Sequence, residues 1–114
     1  MNLLVRRKTR RRKAGPQWRS TAHLAWIRGF ECVVCVKTGQ ARASGMEAAH
    51  VRTGTDGGMG VKSSDWWAIP LCAVHHSAQH RMGETAFEAI YGIDMKKIAQ
   101  DLYSRSPHRM KVES

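Results

Sequence analysis

A small α+β domain is what this sequence predicts, and three observations carry it. Four residues of metal-ligand type stand as two spaced pairs, Cys32-Val33-Val34-Cys35 and Cys72-Ala73-Val74-His75. Between the pairs, a β-like step ending in His50 runs into a glycine-rich stretch and returns through Trp66-Trp67-Ala68-Ile69. Behind them, residues 85–102 repeat apolar side chains at helical spacing. A chain of 114 residues holds one domain at most. At that size hydrophobic burial leaves little margin, and a structural metal is a common remedy.

In chain order, residues 1–17 form a basic arm closed by Gly15-Pro16. Seven of the nineteen basic residues lie there: Arg6, Arg7, Lys8, Arg10, Arg11, Arg12 and Lys13. Without those seven, the net charge of +10 falls to +3, so the arm carries most of the charge. Its like charges oppose compaction, and it is expected to stay disordered until a polyanion, with DNA the partner expected, neutralises it by counterion release. The folded domain is expected over 18–104 and a flexible tail over 105–114. No apolar run approaches the roughly 20 residues a membrane span needs, so no membrane partner is expected. Three cysteines cannot pair off and no secretory signal is legible, which points to a reduced, cytoplasmic setting.

Ser20 is a good N-cap for a short helix that presents Leu24 and Ile27 on one face and stops at Gly29. Cys32 and Cys35 follow, and with Cys72 and His75 they make a tetrahedral structural zinc set, in which binding free energy becomes folding free energy. Glu47 to Arg52 reads as a strand entering a loop, and Thr53 to Gly60 is too rich in glycine for regular structure. Trp66 to Ile69 reads as the returning strand, stopped at Pro70, with at least one of the tryptophans in the core.

From Cys72 the residues suit a helix. At about 100° per residue, Cys72 and His75 lie roughly 60° apart and His76 and His80 roughly 40° apart, the two pairs facing directions about a quarter turn apart. One helix can therefore serve a structural zinc with one face and a second metal with the other. Cys72 with His76 is the competing partition, since i and i+4 share a face, but only the first leaves His76 and His80 paired.

These residues resemble the HNH nuclease family, whose core is the ββα-metal fold. The stretch Gly57-Gly58-Met59-Gly60-Val61-Lys62-Ser63-Ser64-Asp65, followed by Pro70-Leu71-Cys72-Ala73-Val74-His75-His76, is most similar to the phage-borne branch that includes the Ref recombination nuclease. The likeness covers about residues 32 to 80. It implies a metal-dependent endonuclease on a zinc-stapled, treble-clef-like domain with flanking helices, encoded by a phage or prophage. It implies DNA as substrate and a phage or host recombination or packaging protein as a further partner. His50 would be the general base, Asp65 the residue that orients it, and His76 and His80 the ligands of a divalent metal at the scissile phosphate. The family often has Asp or His immediately before the base; here that position is Ala49. With no hard anionic oxygen in the set, Mn2+, Ni2+, Co2+ or Zn2+ is expected to serve better than Mg2+. The same departure leaves a rival reading, a non-catalytic zinc-stapled DNA-binding module.

Arg52 and Lys62 flank the glycine loop and are candidates to contact a phosphate, against the plainer reading of two solvated basic residues. His23 has no ligand partner nearby in sequence and reads as a structural residue. Thr85-Ala86-Phe87-Glu88 reads as a capping box opening a helix that Gly92 ends. Asp94 caps the next helix, in which Met95, Ile98, Ala99 and Leu102 recur at core spacing.

Overall fold

A computed structural model describes residues 17–40, 45–58 and 60–110. The elements in order are α1 (Thr21–Ile27), α2 (Val33–Thr38), β1 (Met46–His50), a 3-10 turn (Asp65–Trp67), β2 (Ala68–Cys72), α3 (Ala73–Met82), α4 (Glu84–Tyr91) and α5 (Met95–Arg105). Among the described residues the architecture is α+β: one two-stranded antiparallel sheet, with Met46 opposite Cys72 and His50 opposite Ala68, wrapped by five helices. None of the described helices is long and apolar enough to cross a membrane.

β2 is buried along its whole length. Ile69 and Leu71 join Ala49 and Val51 in a core with Cys32, Val34, Cys35, Cys72, Phe87, Met95 and Ala99. Ala68 packs the opposite side against Ile27 and Leu102. Phe87, Ile69 and Leu71 are completely buried, each contributing roughly 1.5–3 kcal/mol by removal from water. The core is real but short, which leaves weight for other links to bear.

The returning strand differs from the sequence reading at both ends. Trp66 and Trp67 lie in the 3-10 turn, and the strand passes through Pro70 rather than stopping there. The ladder explains why. Val51 N–H donates to Trp67 O at 3.0 Å and Ala73 N–H to Gly45 O at 3.1 Å, so alternation puts Ala48 and Pro70 at a non-hydrogen-bonded pair, where the missing N–H costs nothing. Trp67 packs on the core, while Trp66 stacks on Trp18 with ring centroids 5.7 Å apart.

Ser20 caps α1 by accepting from His23 N–H, and Asp94 caps α5 by accepting from Lys97 N–H. Gly92, at φ 63°, closes α4 in the left-handed conformation that favours glycine. The capping box at Thr85 is not formed: α4 begins at Glu84 behind Gly83, with no side-chain cap. Its carboxylates are engaged elsewhere. Glu84 accepts from Arg52 N–H and Thr53 N–H at 2.8 and 2.7 Å, and Glu88 accepts from Met95 N–H at 2.7 Å. Tertiary partners have displaced the local one.

Residues 106–110 are tied back to the domain. Arg105 ends α5, Ser106 is fully buried, and Met110 N–H donates to Tyr103 Oη at 2.8 Å. Ser106 Oγ meets His23 Nδ1 at 2.8 Å, joining α1 to the end of α5 inside a nest of Trp18, Trp26 and Tyr103. His23 is fully buried and its Nε2 has no partner among the described residues. Burial pushes its pKa below the ordinary 6.5, outweighing the pull of Asp65. The unfolded chain then binds the proton more readily, so this contribution is full above about pH 6.5 and is lost as pH falls through the lower folded value. Acidification from about pH 7.5 to about pH 5.5 should lower the thermal midpoint, and His23→Leu should shrink that drop. Equal drops in the two proteins would contradict the assignment.

Candidate metal centre and adjoining cleft

Three elements bring the cysteines together. Cys32 precedes α2, Cys35 lies in its first turn, and Cys72 ends β2 as the N-cap of α3, with His75 one turn on. All four are buried, and their ligand atoms lie within 4.8 Å of one another. His75 Nδ1 stands 3.5, 3.6 and 3.3 Å from Sγ of Cys32, Cys35 and Cys72, and Cys35 Sγ lies 3.9 Å from Cys72 Sγ. Tetrahedral bonds of about 2.3 Å to sulfur and 2.0–2.1 Å to nitrogen separate S from N by about 3.5 Å and S from S by about 3.8 Å. The cluster therefore fits a bound metal ion, and of the two partitions open to the sequence it uses His75, not His76.

The protonation chemistry agrees. Burial, then the neighbouring Cys32, pushes the Cys35 thiol up to about 12, so a thiolate there needs a cation. Cys72 goes the other way: against burial, the N–H groups of His75 and Val74 at the helix start hold its thiol below the ordinary value. Burial also lowers His75, leaving it neutral as a ligand must be.

Beside this centre lies a cleft of about 530 Å³ that draws together His50, His76, His80, Arg28, Arg52 and Lys62. A larger groove of about 800 Å³, which includes Phe30, Val33, Val36 and Ile98, gathers no histidine or cysteine, so the reactive groups belong to the smaller one. His50, at the end of β1, directs Nε2 to Asp65 Oδ1 at 2.8 Å. Asp65 is almost fully buried. Burial alone would raise its carboxyl, but hydrogen bonds from His50 and Ser20 N–H and the charge of Arg19 hold it below the usual carboxylate range. An ionised Asp65 accepts from Nε2–H and leaves the Nδ1 lone pair of His50 unshared among the described residues. Burial depresses the His50 pKa despite the opposing pull of Asp65, so the imidazole is neutral near pH 7.

His76 and His80, one turn apart on α3, aim Nε2 at Nε2 across 3.2 Å. That separation is close to the roughly 3.3 Å edge two imidazoles span on a tetrahedral metal. His76 Nδ1 bonds to Glu47 Oε1 at 2.6 Å, so a carboxylate stands behind this imidazole, as it commonly does behind a metal-ligating histidine. Ala49 is fully buried and offers the cleft nothing.

Hydrogen bonds hold the described residues on both sides of the loop, 52–58 and 60–64. Asp56 accepts from Ser64 N–H at 2.8 Å and from Ser64 Oγ, and Ser63 Oγ donates to Val51 O at 2.9 Å. A Cβ on Gly57 would sit 2.9 Å from Ser63 N, so no other residue fits that approach. Arg52 spends part of its guanidinium on Gly58 O at 3.0 Å. Lys62 is exposed at the cleft. Arg6, Arg7, Lys8, Arg10, Arg11, Arg12 and Lys13 lie outside the described residues.

Sequence reasoning missed Glu47, Arg19 and Arg28. Glu47 lies twenty-nine positions from its partner His76, and Arg19 forty-six from Asp65. Arg28, just past the end of α1, is distinguished by no motif.

Residues 7–106 match the family described as "Protein of unknown function (DUF968)", and the chain belongs to that family. Among curated proteins it is similar to the uncharacterized protein YdfU of Escherichia coli (strain K12), 31% identical over 85 residues that make up 72% of this chain. Those residues span 22% of YdfU, so the chain corresponds to about a fifth of that relative. No solved structure matches it.

A metal held by thiolates in a zinc-finger peptide is worth about 10–16 kcal/mol, as much as the whole 5–15 kcal/mol stability of an ordinary domain. Cys35→Ser should therefore lose bound metal and the cooperative thermal transition together. A folded, metal-replete Cys35→Ser protein would refute the ligand set.

Proposed function

We propose that this chain is a metal-dependent endonuclease of the HNH type, hydrolysing DNA phosphodiester bonds on a zinc-stapled ββα-metal core. The observation that carries the reading is the arrangement of His50: held through Nε2 by a buried carboxylate, neutral, with Nδ1 unshared among the described residues, and lining the cleft that also holds the paired His76 and His80. A half-buried imidazole with one nitrogen held by a buried carboxylate, beside two further histidines in a cleft, is the kind of perturbed group that clusters at functional sites. By this reading zinc occupies the Cys32, Cys35, Cys72 and His75 set. His76 and His80 would hold the second divalent metal, which when bound polarises the scissile phosphate and stabilises the leaving oxygen.

The chain's own groups account for the remaining steps. Arg28, Arg52 and Lys62 bind the phosphodiester by charge, the first two with forked donors suited to phosphate oxygens. His50 Nδ1 takes a proton from water as its oxygen bonds to phosphorus, and the P–O bond to the leaving sugar breaks. Asp65 steadies the imidazolium that forms. Glu47 fixes the tautomer and tilt of His76 through Nδ1, in the absence of a carboxylate at position 49. The basic arm adds affinity for the backbone without reading sequence.

The buried Ala49 favours a second reading, in which the chain binds DNA through the same cations but does not cut it. One substitution separates the two. His50→Ala should lower Mn2+-dependent plasmid nicking by at least about 10²-fold while leaving zinc content and DNA affinity close to wild type. Wild-type protein that binds plasmid and never nicks it with any divalent metal would favour the binding module.

A further inference from the structure

Residues 17–20 form a strap across the loop that carries Asp65. Gln17 Nε2 donates to Asp56 O at 2.9 Å, Trp18 N–H to Ser64 Oγ at 2.9 Å, and Asp65 N–H to Trp18 O at 2.8 Å. Ser20 N–H donates to Asp65 Oδ2 at 2.7 Å. Arg19 makes the densest set of these links. Its guanidinium donates to Ser63 O at 2.5 Å, to Lys62 O at 2.7 Å, and to Asp65 Oδ1 at 3.3 Å, the same oxygen that accepts from His50.

We propose that Arg19 is a positioning residue for the His50 base, acting through Asp65 and resting on the nuclease reading above. The geometry separates this role from three simpler ones. Arg19 is 44% exposed, but where a surface ion pair would give it one partner, here it has three, two of them backbone carbonyls. A phosphate contact would leave the guanidinium free to face the cleft, but two of its nitrogens are turned into the loop. A purely structural clamp would have no need to share an oxygen with His50. A planar fork can hold two adjacent carbonyls and a carboxylate in one arrangement, which a lysine ammonium cannot reproduce. Arg19 thus fixes where Oδ1 stands, and Oδ1 fixes the direction of the imidazole. Ser20 adds a second hold on the same carboxylate, so the segment next to the basic run governs the base from outside the hairpin that bears it.

The test is steady-state nicking of plasmid by the full chain with Mn2+. Small errors in placing a reacting group cost up to about 100-fold, so Arg19→Gln should lower kcat by about 10- to 100-fold with KM held within about 2-fold. Arg19→Lys, keeping charge without the fork, should fall between, losing about 2- to 5-fold. In an Asp65→Asn background neither substitution should lower kcat further, because the path runs through Asp65. If Arg19→Gln fails to retain zinc and a cooperative thermal transition, the Arg19→Lys cycle carries the test alone. A raised KM at unchanged kcat, or losses that add in the double variants, would overturn the proposal. Wild-type protein that leaves plasmid intact with every divalent metal would overturn the nuclease reading itself, and this one with it.

Discussion

Everything else in this molecule hangs on the convergence of Cys32, Cys35, Cys72 and His75 at one point. Among the described residues the sheet has two strands, and its core is closed by helices of six to eleven residues. Such elements are marginal alone. The cluster ties the start of α2 to the junction of β2 and α3, and it sits inside the main core with Val34, Leu71 and Phe87. Three buried thiols beside an imidazole would serve poorly as plain core: they fill space less well than leucines and must stay protonated or find a cation. Holding a metal turns that defect into the strongest link in the fold.

The same junction sets the second cluster. Because Cys72 is the N-cap of α3, the helix phase is fixed at its first residue, and His75 must point inward. His76 and His80 are then carried to the neighbouring face, into the cleft with His50. Behind His50, Asp65 is held by His50 on β1 and by Arg19 and Ser20 of the preceding strap, so two separate parts of the chain agree on the position of one carboxylate. Burial acts on the two imidazoles in the direction the proposed chemistry requires and on Asp65 against it. It keeps His50 and His75 neutral, while hydrogen bonds keep Asp65 charged.

Legibility followed the range of each interaction. Cys32, Cys35, Cys72 and His75 were readable because ligand spacing is a local constraint on a turn or a helix. Ser20, Gly92 and Asp94 were readable for the same reason, since each cap acts within one turn of itself. Thr85 misled because Glu84 and Glu88 were recruited by N–H groups of Arg52, Thr53 and Met95, which no local rule foresees. Pro70 misled because its cost depends on the parity of the ladder, and parity is set by the partner strand. In the cleft, His50, Asp65, His76 and His80 stood out by type, whereas Glu47, Arg19 and Arg28 are ordinary surface residues until the fold brings them in.

The central claim is that one short helix serves two metals, with His75 turned to the cysteines and His76 turned to the cleft. Anomalous scattering from crystals grown with zinc and soaked in manganese measures this directly. The account predicts a zinc peak enclosed by Cys32, Cys35, Cys72 and His75, and a separate manganese peak at Nε2 of His76 and His80. A single peak that draws His76 into the cysteine cluster, or a cleft without a metal beside His76 and His80, would contradict it.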